Sequence, residues 1–69
     1  MMTHARLDMA NLTADNAYDR GVVHYVDRVH ADRAYHENLS ALRRGYPAIY
    51  VEYMRGLDDA HNETIRHND

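Results

Sequence analysis

The single proline of the chain, Pro47, follows Gly45 by two residues, and this pair constrains the fold more than any other feature. Residues 13–44 contain no proline and one glycine, so nothing in that stretch forces a helix to stop. The run Arg43-Arg44-Gly45-Tyr46-Pro47 places two cations in the last turn of a helix, glycine just after its end, and proline in the first turn of the next helix. The sequence therefore predicts two helices joined by a tight turn.

Helix one is predicted over residues 13–44, the turn over 45–47 and helix two over 48–67. Thr13 is a suitable N-cap for helix one because its hydroxyl can accept a backbone N–H. In helix two, apolar residues recur every three or four positions, which is typical of a helix that buries one face. We expect an all-α fold of one domain, residues 1–69, in which an antiparallel two-helix hairpin follows an N-terminal arm at residues 1–12.

A chain of 69 residues buries too little surface for a strong core, and it contains no cysteine that could supply a disulfide or a thiolate metal site. Helix one is also longer than helix two, so part of it lacks a partner within the chain. We therefore expect a homodimer with four-helix-bundle-like packing. The predicted dimer interface lies on the overhanging part of helix one: Tyr18, Val22, Tyr25 and Val29.

Residues that could carry chemistry do not form a recognisable pattern. The only serine is Ser40, and the sequence has neither a nucleophile motif nor a phosphate-binding glycine loop. The chain has six histidines, and those spaced six residues apart face different sides of a helix. The Asp-x-x-His pairs Asp27/His30 and Asp58/His61 resemble the ligand pairs of di-metal helix bundles, but the glutamates that bridge the two metals in such bundles have no clear candidate here. We expect no enzymatic activity, no metal site and no cofactor.

The net charge of −3 at pH 7 does not favour a nucleic acid partner, which usually requires a basic surface. The sequence has no apolar run long enough to span a membrane, and its first residues lack the apolar segment of a secretory signal. We expect a cytoplasmic protein without a membrane partner.

The residues around the predicted turn are the best candidates for a partner surface. Tyrosine and arginine are enriched among residues that dominate binding energies, and several of them occur here together with leucines. We name this set the turn-end cluster: Tyr35, Leu39, Leu42, Arg43, Arg44, Tyr46 and Tyr50. The alternative interpretation is that the same residues complete a wide core or the dimer seam.

In its length, its arginine-rich and lysine-free composition and its two-helix pattern around Arg43-Arg44-Gly45-Tyr46-Pro47, the chain resembles small anti-quorum-sensing proteins of temperate phages that infect pseudomonads. The resemblance implies a dimeric viral inhibitor in the host cytoplasm. Its targets would be the DNA-binding domain of a LuxR-type quorum-sensing activator and also the type IV pilus assembly ATPase, a motor protein. Two alternatives remain open: a Rop-like dimeric nucleic-acid-binding regulator, and an inhibitor of a CRISPR or other defence complex.

Overall fold

The computed structural model describes residue 9 and residues 11–67, and within this part every regular element is helical. The prediction of an all-α fold is therefore confirmed for the described residues. The elements are the helix α1 (Ala17–His24), a 3-10 helix (Val26–His30), the helix α2 (Arg33–Gly45) and the helix α3 (Pro47–His67). Most of the predicted arm lies outside the described residues.

The predicted helix one is interrupted, so the described chain has three α-helices where the sequence predicted two. Ala31 and Asp32 adopt extended backbone conformations between the 3-10 helix and α2. The Asp32 carboxylate accepts a hydrogen bond of 3.0 Å from the backbone N–H of Tyr35 and so serves as the N-cap of a new helix. The sequence placed one helix over residues 13–44 without deciding whether it is continuous near residues 31–33, and the structure divides it there because this cap begins α2 independently of α1.

The start of α1 and the joint between α2 and α3 agree better with the sequence. Thr13 and Asn16 exchange hydrogen bonds between side chain and backbone, at 2.8 and 3.2 Å, in the manner of a capping box. The turn before Pro47 is shorter than predicted, because α2 runs through Gly45 and Tyr46 alone separates the helices. Gly45 does not have the left-handed conformation expected of a glycine cap, since no described residue has a positive φ.

Helices α1 and α3 pack backbone to backbone at two glycines. A Cβ atom placed on Gly21 would collide with the carbonyl oxygen of Tyr53 and lie 2.9 Å from the backbone nitrogen of Leu57. A Cβ atom placed on Gly56 would collide with the carbonyl oxygen of Tyr18. Any side chain at either position would push the helices apart, so the two glycines set the distance between α1 and α3.

The core beside this crossing is small. Its buried apolar side chains come from all three α-helices: Ala17, Tyr35, Tyr53 and Leu57. Half-buried side chains pack around them: Met9, Leu12, Tyr25, Ala31, Leu39, Ile49 and Met54. The core therefore includes two tyrosines, whose hydroxyl groups need hydrogen-bond partners inside the protein.

His24, on α1, supplies one of those partners. Its Nδ1 atom lies 2.8 Å from the Tyr53 hydroxyl, which in turn lies 2.7 Å from the Tyr35 hydroxyl. The three residues, which we name the buried triad, connect α1, α3 and α2 in that order. Burial and the hydrogen bond to Tyr35 together raise the pKa of Tyr53 above its ordinary value, so its hydroxyl stays protonated.

Candidate functional site

Backbone hydrogen bonds fix the shape of the joint between α2 and α3. The Tyr46 N–H donates to the Leu42 carbonyl at 2.7 Å, and the Tyr50 N–H donates to the Tyr46 carbonyl at 3.0 Å. These bonds keep the last turn of α2 next to the first turn of α3. As a result, the guanidinium of Arg43 lies over the ring of Tyr50, 5.9 Å from its centroid, in a cation–π arrangement.

The members of the turn-end cluster differ in their access to solvent. Tyr46 is 65% exposed, and both Arg43 and Arg44 are exposed beside it. Leu42 and Tyr50 are half-buried. We call these five residues the outer part of the turn-end cluster, and for them the prediction of a partner surface stays a prediction.

Tyr35 and Leu39 belong to the inner side of α2. Tyr35 is only 3% exposed and donates or accepts its hydrogen bond inside the core, so it offers no surface to a partner in this fold. The prediction of Tyr35 as a partner-binding residue conflicts with this burial. The physical reason is the separate start of α2, which turns Tyr35 toward Tyr53. Leu39 is half-buried and packs against the same core.

Arg43 and Arg44 differ from the other arginines of α2 and α3 in their electrostatic surroundings. Three exposed arginines pair with glutamates of their own helix: Arg33 with Glu37 at 3.0 Å, Arg55 with Glu52 at 3.2 Å and Arg66 with Glu63 at 3.3 Å. Within residues 11–67, no ion pair engages Arg43 or Arg44. Their donors therefore remain available to an outside group.

The predicted dimer interface separates into two kinds of residue. Tyr18 and Tyr25 are half-buried and bind within the chain, Tyr18 to the Asp59 carboxylate and Tyr25 to His61 Nδ1 at 2.8 Å. The hydrogen bond to Asp59 raises the pKa of the Tyr18 hydroxyl. In contrast, Val22 and Val29 are exposed, and Val29 reaches 82%.

Val23 and Val26 are also exposed, and the sequence reasoning did not single them out. Their spacing could have revealed them, since positions 22, 23, 26 and 29 fall within about a third of a helical turn's circumference. We name Val22, Val23, Val26 and Val29 the valine row. It occupies the side of α1 and of the 3-10 helix that faces away from the core.

The described histidines lie in separate surroundings. In the described part of the chain, no group of three or more His, Cys, Asp or Glu side chains could hold a metal ion. His24 is buried against Tyr53, and His61 contacts the ring of Tyr25 at 5.7 Å between centroids. Neither of the Asp-x-x-His pairs noted in the sequence belongs to such a group within the described residues.

Comparisons with protein-family models, with characterised proteins and with solved structures found no match to this chain. Across the described residues, none of the helices combines the length and the apolar character needed to span a membrane.

Proposed function

We propose that this chain is a small helical interaction protein that binds a protein of the host cell and inhibits it by covering a functional surface. The observation that carries the proposal is the outer part of the turn-end cluster, where exposed Tyr46 stands beside Arg43 and Arg44. Tyrosine and arginine contribute disproportionately to binding because they combine contact area, rigidity and hydrogen-bond donors. The backbone bonds at the helix joint hold this surface in one shape, which lowers the entropy cost of binding.

The charge of this surface indicates the chemistry of its partner. Two guanidinium groups that lack ion pairs among the described residues favour a patch with carboxylates, which arginine binds with two parallel hydrogen bonds. Tyr46 adds an aromatic face that suits an apolar or aromatic neighbour on the partner. The opposite charge is exposed farther along α3, at Asp58 and Asp59, and complements a basic surface such as a DNA-binding face.

The resemblance to small phage anti-quorum-sensing proteins supplies two targets to test first. One is the DNA-binding domain of a LuxR-type activator, for which the carboxylates of α3 supply complementary charge. The other is the type IV pilus assembly ATPase. Inhibition of either target by occlusion requires binding alone and no catalytic step.

Titration calorimetry with each purified target tests the proposal. The triple variant Arg43→Ala/Arg44→Ala/Tyr46→Ala is expected to bind at least about thirtyfold more weakly, the factor that corresponds to a hot spot of about 2 kcal/mol. Its circular dichroism should match that of the wild type, because all three side chains are exposed.

The matched control is Arg33→Ala/Arg66→Ala, which removes the same charge from exposed arginines that pair only along their own helices. Its affinity should stay within about twofold of the wild type, since such pairs contribute little. Equal affinity of the triple variant and this control would refute the turn-end site. Absence of binding to both targets would refute the targets.

The alternative function is a Rop-like nucleic-acid-binding dimer, which the free donors of Arg43 and Arg44 favour. Such binding would weaken steeply with salt, because each phosphate contact releases counterions. Electrophoretic mobility measured with paired RNA loops and with duplex DNA at several salt concentrations separates the two functions. An inhibitor of a CRISPR complex would share the occlusion mechanism and differ in its target alone.

We also propose that two copies associate and that the valine row lies at their interface. Four valines that are 40–82% exposed form an apolar surface on one side of α1 and the 3-10 helix. In a two-fold dimer the same surface from each copy meets its own counterpart, so one apolar row is sufficient. Val22 and Val29 remain in this interface as predicted, whereas Tyr18 and Tyr25 already bind within the chain.

A further inference from the structure

A depression of about 250 Å³ lies between the 3-10 helix and the middle of α3, away from the turn-end cluster. Arg28 lines it from the 3-10 helix, and four residues line it from α3: Met54, Leu57, Asp58 and His61. The four α3 residues share one side of the helix because they are spaced by three or four positions. The fold therefore places one cation, one imidazole and one carboxylate around a shared space.

Two hydrogen-bond donors reach this space. The Arg28 side chain is exposed and has no ion pair within the described part of the chain. His61 is held by the Tyr25 hydroxyl, 2.8 Å from its Nδ1 atom, and by the edge of the Tyr25 ring. When the hydroxyl donates to Nδ1, the neutral imidazole carries its proton on Nε2, which then serves as a donor.

The rest of the lining consists of two apolar side chains and one carboxylate. Leu57 is a buried core residue and Met54 is half-buried, so together they form an apolar floor. Asp58 is exposed and adds a single acceptor. An anion that carries an apolar part would gain affinity by covering the accessible part of Met54, since Leu57 lies buried behind it.

We propose that this pocket binds a carboxylate attached to a carbon that carries a short aliphatic side chain, as in a free aliphatic amino acid or the carboxyl-terminal residue of a peptide. Arg28 and His61 bind the carboxylate, and the side chain covers Met54 and Leu57. The Asp58 carboxylate accepts the ammonium of a free amino acid and repels a doubly charged phosphate. The volume is below the range of about 300–1,000 Å³ of pockets for drug-sized ligands, so it suits a single residue.

This inference does not depend on the proposed function, and a titration followed by two-dimensional ¹H–¹⁵N NMR tests it separately. The probes are L-leucine, N-acetyl-L-leucine and L-leucinamide, each raised to about 10 mM, ten times a dissociation constant of about 1 mM. L-leucine is expected to shift the amide signals of residues that line or support the pocket: Tyr25, Arg28, Met54, Leu57, Asp58 and His61. L-leucinamide, which lacks the carboxylate, is expected to leave them unchanged.

N-acetyl-L-leucine distinguishes the two sources of the ligand. It keeps the carboxylate and the side chain but lacks the ammonium, as the end of a peptide does. If it binds as well as L-leucine, a peptide terminus can occupy the pocket. If L-leucine alone binds, Asp58 and the ammonium are needed and the ligand is a free amino acid.

The variant Arg28→Gln is expected to weaken binding of L-leucine about tenfold or more, because it removes a charge-assisted hydrogen bond. The matched control is Arg55→Gln, an exposed arginine of α3 that pairs with Glu52 and does not line the pocket. The inference is wrong if L-leucinamide binds as well as L-leucine, or if both variants bind alike. Unchanged signals with L-leucine and N-acetyl-L-leucine at the highest concentration would also overturn it.

Discussion

The hydroxyl of Tyr53 is the central polar group of the described core. It lies within hydrogen-bond distance of both His24 and Tyr35, and Tyr53 itself is completely buried. Among the described residues, no buried side-chain nitrogen or oxygen lacks a hydrogen-bond partner. This complete pairing makes a polar core acceptable, because each unpaired buried group would cost about 1–3 kcal/mol.

The substitution Tyr53→Phe is expected to lower the free energy of unfolding by about 2–4 kcal/mol. It keeps the ring but leaves the Tyr35 hydroxyl and His24 Nδ1 without this shared partner. For a chain of this length, whose total stability is of order 5 kcal/mol, the loss is a large fraction. Urea unfolding followed by circular dichroism measures this loss in the free energy of unfolding.

The control is Tyr46→Phe, at an exposed position, which should change the free energy of unfolding by less than about 0.5 kcal/mol. Equal effects of the two variants would contradict the role of the buried triad.

Alkaline pH provides a second test at the same residue. The pKa of Tyr53 is raised by burial and by its hydrogen bond to Tyr35, whereas the unfolded chain has a tyrosine pKa of about 10. Above pH 10 the unfolded state therefore releases a proton that the folded state retains. Stability contributed by protonated Tyr53 is fully present below pH 10 and falls above it, by up to about 1.4 kcal/mol per pH unit.

Urea unfolding of the wild type and of Tyr53→Phe at several pH values between about 8 and 11 measures this dependence. The variant should lose stability less steeply above pH 10, because it lacks the group that titrates. Identical slopes for the two proteins would show that Tyr53 ionises as readily in the folded state as in the unfolded one.

At the scale of the helices, the crossing of α1 and α3 depends on Gly21 and Gly56. The substitution Gly21→Ala adds about 1 kcal/mol of favourable helix propensity, but its methyl group meets the backbone of α3. Overpacking of this kind typically costs about 1–3 kcal/mol, and more where the neighbour is backbone that cannot yield. We expect a net loss of about 2 kcal/mol or more.

Gly45→Ala is the matched control for this prediction. Nothing lies within 4 Å of a Cβ atom placed on Gly45, and its backbone has no positive φ. The alanine should therefore raise stability by up to about 1 kcal/mol through helix propensity alone. Thermal unfolding of the two variants compares them directly, and the prediction fails if Gly21→Ala is as stable as Gly45→Ala.

The helices also show which parts of this fold could be predicted from the sequence. The α2–α3 joint follows from Gly45 and Pro47, whose effects are local, and the Thr13 cap follows from residues three positions apart. At Asp32 the chain can either begin a new helix with the aspartate as its N-cap or continue the preceding helix. The composition of this segment does not decide between the two. The burial of Tyr35 depends on Tyr53, eighteen positions away, and could not be read from either helix alone.

For the whole molecule, the balance between core and surface supports association. Four apolar side chains are buried in the described part, whereas the four valines of the valine row are 40–82% exposed. Burial of a valine gains about 1.5 kcal/mol or more, so a two-fold interface along this row would gain several kcal/mol from its centre. The gain arises between copies, and the stability of the protein should then increase with its concentration.

Val26→Glu is expected to weaken the dimer at least about a hundredfold. Each copy loses a buried valine worth about 1.5 kcal/mol, and the sum of about 3 kcal/mol corresponds to that factor. Sedimentation equilibrium over a range of concentrations measures the dissociation constant.

Val51→Glu is the matched control, because Val51 on α3 is 51% exposed and lies outside the valine row. Because the same charge is added there without a loss at the interface, its dissociation constant should equal that of the wild type. A wild type that is monomeric at every concentration, or equal weakening by the two substitutions, would show that the valine row is not where two copies meet.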